Sequence, residues 1–418
     1  MSLRTKDLLG TMMFLEFFIW GSWFVTLGSF LAANFSATGT QSALAYSTQS
    51  WGAILAPFIV GFIADRYLNA ERLLCALHAI GALLLYRMYA AARFDHFYGL
   101  LLPYMVGYMP TLALVNSIAF RSLGGSPTLF SRTRVWGTVG WIVAGLAISL
   151  VFRWDSSPSL GHGGLRNTFL LGAIASGILA CISLLLPATP PSSTHAAAGA
   201  RVREALGGGA LWLLGRRDFL VMVITSVLIC IPLAFYYQLT HLFLIERQVY
   251  AAAAKQSLGQ VSEVAFLFAV PWFIARLGYK GTLMVSMGAW TARYLLFSLA
   301  ALFDTGAAIV AAILLHGVCY DFFFVCGQIF TDRIAAASCK SAAQGLMTLS
   351  TYGVGMLIGF SVAGTIAERY VVGATHDWSK IWLVPAALSA LTLVAFALVF
   401  REPTTAHGRA ICTGTALD

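Results

Sequence analysis

Thr305–Phe330 reads TGAAIVAAILLHGVCYDFFFVCGQIF, an apolar run of 26 residues in which the only acidic or basic side chains are His316 and Asp321. At 1.5 Å per residue, a helix of this length crosses the hydrocarbon core of a bilayer. A carboxylate at that depth costs about 2.5 to 3.5 kcal/mol on insertion scales, so it belongs to an inward-facing polar patch or a water-filled cavity.

Eleven further runs of bilayer length accompany this one. With it, they fall at about 8–32, 44–64, 73–92, 97–120, 134–152, 167–187, 218–245, 258–275, 281–302, 305–330, 341–366 and 379–400. The chain is 59% hydrophobic and 10% charged with a mean hydropathy of +0.80, where a soluble domain carries roughly 25% charge. The runs lack the short alternation of barrel strands, so the backbone must satisfy itself in helices. The expected fold is all-α: a polytopic membrane protein with twelve transmembrane helices.

Lys and Arg fix the expected orientation. With the N-terminus inside, 17 of the 26 lie in the termini and inner loops, seven lie in outer loops, and Arg87 and Arg293 lie within spans. Both termini are therefore expected on the cytoplasmic side. The net charge of +9 reads as topology, not as nucleic-acid binding. The first run is too long for a cleavable signal peptide and is expected to be span one. The seven cysteines show no CxxC spacing, so neither a disulfide framework nor a zinc site is expected.

The longest polar break divides six spans from six: residues 1–187 form one expected bundle, 188–217 a cytoplasmic linker and 218–418 a second bundle. Within the linker, ARVREALGGGALWLL suits either a short amphipathic surface helix or a flexible tether. Phe62-Ile63-Ala64 at the end of span two and Phe273-Ile274-Ala275 at the end of span eight mark equivalent turns of two distant repeats. Gly61, Asp65 and Arg66, followed by Arg72, fit a charged loop able to latch neighbouring spans, or a plain surface turn.

Helical spacing groups the remaining polar residues. Arg134, Thr138 and Trp141 recur at i, i+4, i+7, so a guanidinium, a hydroxyl and an indole share one face of span five, suited to a polar aromatic solute; a positive-inside anchor is the other reading of Arg134. Gln260 and Glu263 stand at i, i+3 in span eight, below an apolar cap of Phe266 and Leu267. An amide both donates and accepts, which suits a nucleobase edge or a ribose hydroxyl. His316 and Tyr320 share a face of span ten, with Asp321 beside Tyr320 and Gly317, Phe324 and Gln328 on its own stripe. Glu16, His241 and Arg293 are further ionisable groups inside spans, the last two readable as packing groups. Trp20, Trp23, Tyr236 and Tyr237 read as interface belt or core.

Several motifs in order carry a resemblance: FIWGSWFVTLGSF at 18–30, YMPTLALVNSIAF at 108–120, RVWGTVGW at 134–141, QVSEVAFLFAVPWFIARLGYKG at 260–281, and CYDFF at 319–323 followed by SAAQG. In these the chain resembles the nucleoside:proton symporter family of the major facilitator superfamily, along nearly its whole length. The resemblance implies a major facilitator fold of two six-helix bundles and a transporter rather than an enzyme. It also implies proton-coupled nucleoside import by alternating access, in the plasma (bacterial inner) membrane. Its implied substrate site comprises Arg134, Thr138, Trp141, Tyr237, Gln260, Glu263, His316, Tyr320 and Asp321. Trp141 and Tyr320 would stack on the base, and Glu263 or Asp321 would carry the proton, since a carboxyl group taken out of water favours its neutral form. No cofactor is expected beyond protons as coupling ion. The expected partners are a small nucleoside and the lipid bilayer, with function as a monomer. The chain departs from the family pattern at His316, Tyr320, Trp141 and Glu16, where tyrosine, phenylalanine, phenylalanine and glutamine are expected; Tyr237 takes a position that relatives fill with asparagine. A transporter of another polar solute, such as a sugar, or a drug exporter, remains the alternative reading.

Overall fold

The computed structural model describes residues 3–59, 68–190, 208–336 and 339–402. Ten helices among them are long and apolar enough to cross a membrane. Spans two and eight account for the rest of the expected twelve: Gly39–Ile59 is helical to the edge of the described residues, and span eight is broken. Its first part, Leu258–Leu267, ends at a turn over 268–269, and helix resumes at Val270 with a proline in the first turn, where the missing N–H costs nothing. Gly278, at φ 71°, then turns the chain into span nine; this conformation favours glycine. Exposed large side chains such as Leu184, Leu391 and Leu398 face outward, as lipid-facing positions would.

The all-α expectation holds except for one small hairpin, in which Val371–Val372 pairs antiparallel with Thr375–His376. The carboxylate of Glu246, at the end of span seven, pins it by accepting from the His376 backbone N–H at 3.1 Å and from the Trp378 indole N–H at 2.8 Å. In the linker, Gly208–Gly215 forms a 3-10 helix in place of the tail of an α-helix. Its earlier part lies outside the described residues, as do Gly61, Asp65, Arg66 and the Phe62–Ala64 repeat element. Six cysteines, Cys75, Cys181, Cys230, Cys319, Cys326 and Cys339, are free thiols.

The chain gathers into two compact units. The first joins residues 1–195 with 234–260 and 360–378. Its core holds a buried polar knot at Glu16, which accepts from Thr111 Oγ1 at 2.5 Å and meets His78 Nε2 at 2.9 Å, while the Tyr108 hydroxyl donates to the Glu16 carbonyl at 2.6 Å. His78 Nδ1 lies 3.1 Å from Ser176 Oγ, so the knot ties spans one, three, four and six. Every one of these buried polar atoms finds a partner, which is what the low dielectric demands. Glu16 thus lies in a packed, fully buried network.

The second unit joins 196–233 with 261–359 and 379–418. Spans ten and eleven each contain a widened π turn, at Asp321–Val325 and Leu349–Gly355. Such turns are rare and concentrate at functional sites.

Candidate functional site

In the first unit, span five positions three of the expected residues. Its helix, Pro127–Leu146, starts at Ser126, whose side chain accepts from the Leu129 N–H, with proline in the first turn. Arg134 is half-buried, with its guanidinium 4.3 Å from the Phe17 ring centroid, a cation–π distance. Two turns on, Trp141 packs edge-on against Trp20 at 5.4 Å. It forms one wall of a narrow cavity of about 10 Å³, whose other walls include Tyr236, Tyr237, Gln256, Ser257 and Gln260. That is room for about one water molecule, so a solute enters here only when the walls part. The structure therefore brings together Trp141, Tyr237 and Gln260, while Arg134 and Thr138 are not among the walls of this cavity. A larger hollow of about 600 Å³ lies by the starts of spans one and five, between Lys6, Asp7, Arg132 and Trp136; it contains none of the expected site residues.

The start of span eight is held against span five by groups that spacing alone did not single out. The short helix Ala252–Gln256 has no side-chain cap of its own. Asp155 supplies one, its Oδ2 accepting from the Ala253 N–H at 3.0 Å and from Ser149 Oγ at 2.5 Å, and Ser149 Oγ accepts from the Ala254 N–H at 2.9 Å. A carboxylate also suits the positive end of the helix. The two helices approach closely: a β-carbon on Gly145 would lie 3.0 Å from the Ala253 carbonyl oxygen and would force the Ser257 hydroxyl to turn away. His241 completes the cluster, with Nε2 at 4.0 Å from Asp155 Oδ2 and Nδ1 at 2.7 Å from Ser29 Oγ.

In the second unit, span ten carries the ionisable cluster. Arg293, wholly buried on span nine, places Nη1 3.1 Å from His316 Nδ1. A guanidinium only donates, so Nδ1 must accept and the ring proton sits on Nε2. That nitrogen lies 3.9 Å from Glu263 Oε2. Arg293, His316 and Glu263 thus form a directed row. The helices meet where Gly317 donates its N–H to Ser262 Oγ at 2.9 Å; a β-carbon on Gly317 would lie 2.5 Å from the Ser262 carbonyl oxygen.

Asp321 is 2% exposed, and its Oδ2 has no hydrogen-bond partner among the described residues. Glu263 is close enough for the two carboxylates to act on each other through space. Asp321 opens the π turn, and just before it the Cys319 carbonyl accepts from Ser286 Oγ at 2.7 Å and Trp290 Nε1 at 3.1 Å, which fixes span ten on span nine. The Tyr320 and Tyr352 hydroxyls hydrogen-bond at 2.5 Å, joining the two widened turns. The π turn also breaks the expected stripe: Gln328 is exposed while Asp321 is buried, because a widened turn shifts the helical register beyond it. Leu267 is likewise exposed and caps nothing, since its helix ends there; Phe266 does pack inward, 6.0 Å from the Phe322 ring.

A buried aspartate, a part-exposed glutamate with a histidine and an arginine in one unit, and a cleft of aromatic rings and amides in the other, are groups that a membrane transporter for a polar aromatic solute can use. The comparisons agree. A family profile described as nucleoside H+ symporter matches residues 1–405. The Escherichia coli (strain K12) protein YegT is 38% identical, over 96% of this chain and 95% of its own length. Xanthosine permease of the same organism is 31% identical, over 94% and 95%. The crystal structure of the nucleoside transporter NupG superposes with a TM-score of 0.83 at 27% identity, covering 96% of this chain and all of the other. With the profile spanning nearly every residue that forms either cluster, the chain belongs to the nucleoside H+ symporter family and is an integral membrane transporter, not an enzyme.

Proposed function

We propose that the protein imports nucleosides together with protons by alternating access, as a monomer with both termini in the cytoplasm, in the plasma (bacterial inner) membrane. The proton is the coupling ion and no other cofactor takes part. The observation that carries this reading is Asp321, a buried carboxylate with an unpartnered oxygen beside Glu263 and the His316–Arg293 row. Asp321 is buried and Glu263 beside it is part-exposed, so on this reading a proton passes between this pair and water as the surroundings change. Glu263 or Asp321 is the proton carrier, and each inward charge gains about 2.3 kcal/mol per 100 mV of membrane potential.

The substrate side combines aromatic rings, amides and a few charged groups. Trp141, with Tyr237 near it, offers aromatic faces for a base, and Gln260 offers an amide. Tyr320 supplies another ring, His316 and Glu263 further polar contacts, and Arg134 and Thr138 hydrogen-bond base or ribose as the substrate passes. This set of rings and hydrogen-bonding groups suits a solute that is planar and polar.

Labelled uridine and adenosine, supplied to cells lacking their own nucleoside transporters, measure the function directly. Accumulation above the outside concentration, abolished by a protonophore and competed by unlabelled nucleosides but not by sugars, is expected. Uptake competed by sugars, or accumulation indifferent to the protonophore, overturns the reading.

A further inference from the structure

We propose that Gln256 is a specificity-determining residue of this transporter, its side-chain oxygen accepting a hydrogen bond from the N–H edge of the nucleobase. The inference rests on the nucleoside reading above and narrows it to one contact. Gln256 is 4% exposed, lines the Trp141 cavity, and its Oε1 is buried without a hydrogen-bond partner among the described residues. A buried carbonyl oxygen left unsatisfied is costly, and such groups in native proteins call for a partner. Gln256 and Gln260 stand at i, i+4 on one face, so the two amides are neighbours aimed at the same space.

The chemistry of the walls selects the partner. No residue lining this cavity carries a charge at neutral pH; Trp141, Tyr236 and Tyr237 provide flat apolar surface, and the two glutamines provide an acceptor and a donor side by side. A planar group with a donor next to an acceptor on its edge is complementary, and every common nucleobase has such an edge. Gln256 takes the donor while Gln260 answers the adjacent acceptor. The capping of Ala252–Gln256 by Asp155 and Ser149 fixes the backbone that carries Gln256, and a site that discriminates by hydrogen bonding requires such support.

A site built around such a contact rejects analogues that lack the donor, because its own polar group is then left buried and unpaired. Uptake of uridine, 3-methyluridine and 3′-deoxyuridine by the unsubstituted protein and by Gln256→Met and Gln256→Glu tests this. Methionine matches the shape without the acceptor; glutamate keeps an acceptor. The expected result for Gln256→Met is a rise of about tenfold or more in KM for uridine. Its preference for uridine over 3-methyluridine should collapse while that over 3′-deoxyuridine stays, and Gln256→Glu should retain both. An unchanged preference over 3-methyluridine in Gln256→Met overturns the proposal, as does selective loss of the ribose preference. If Gln256→Met does not reach the membrane, Gln256→Glu decides alone: a retained preference over 3-methyluridine supports the contact and a lost one refutes it. If the unsubstituted protein takes up no nucleoside, the functional reading fails first and the result says nothing against Gln256 as an acceptor.

Discussion

Asp321→Asn isolates the coupling role, because asparagine has nearly the shape of a protonated aspartate and cannot lose the proton. The Asp321 side chain is almost wholly buried and its Oδ2 makes no hydrogen bond among the described residues, so the substitution breaks no bond at that oxygen and removes the cost of burying a charge. The variant should fold, with a thermal midpoint equal to or above that of the parent. Its deficit should lie in energetics. One inward proton at 100 mV contributes about 2.3 kcal/mol, which corresponds to an accumulation ratio of about 40-fold. Without a titrating group the ratio falls to one, while exchange of labelled for unlabelled nucleoside continues. Proteoliposomes loaded with unlabelled uridine, with and without an imposed potential and pH gradient, separate the two quantities. Gradient-driven, protonophore-sensitive accumulation in Asp321→Asn at the parental level would refute the assignment and leave Glu263 as the carrier.

Three further substitutions probe the supports of the two clusters. Gly317→Val drives a side chain into the Ser262 carbonyl; overpacking of this kind costs about 1 to 3 kcal/mol, so a lowered midpoint and lost transport are expected, and parental stability would disprove the close approach. Asp155→Ala removes the acceptor that caps Ala252–Gln256, at a cost of about 1 to 3 kcal/mol. It should raise KM for nucleosides, with Asp155→Asn intermediate; equal KM values in all three proteins would remove Asp155 from the support of the pocket. His316→Leu removes one acceptor of the buried Arg293 guanidinium and should destabilise by about 1.5 to 3 kcal/mol, whereas His316→Gln keeps an acceptor and restores most of the loss. Equal thermal midpoints for the two variants would show that this contact carries no weight.

The helices were legible because the bilayer imposes length and polarity on every span independently of its neighbours. Span eight resisted, since its break at 268–269 lies inside the apolar stretch FLFAV. The candidate residues could be named wherever they share a helix: Trp141 and Gln260 from spacing, and Asp321 from the oddity of a carboxylate among apolar side chains; the structure places Trp141 and Gln260 on one cavity and buries Asp321. Ser149 and Asp155 escaped notice because their roles depend on partners roughly a hundred residues away, Asp155 on the backbone of Ala253 and Ser149 on that of Ala254. The exposure of Gln328 escaped for another reason. A 3.6-residue period assumes a regular helix, and no local residue preference announces the π turn at Asp321–Val325.

That turn bears on how a proton could be tied to movement. A helix widened at one point stores irregular backbone that can relax, and here the irregularity begins at the residue whose charge changes. Span ten is fastened just before it by Ser286 and Trp290 on the Cys319 carbonyl, and the Tyr320 hydroxyl meets Tyr352 in the widened turn of span eleven. A ligand shifts a conformational equilibrium only through its different affinity for the two states, and a proton obeys the same rule. Protonating Asp321 replaces a buried anion by a neutral group that can donate; a conformation that hydrates or pairs the anion is then favoured less. The aromatic and amide pocket around Trp141 has no charge to lose, so base recognition there can stay constant while the acid cluster changes state.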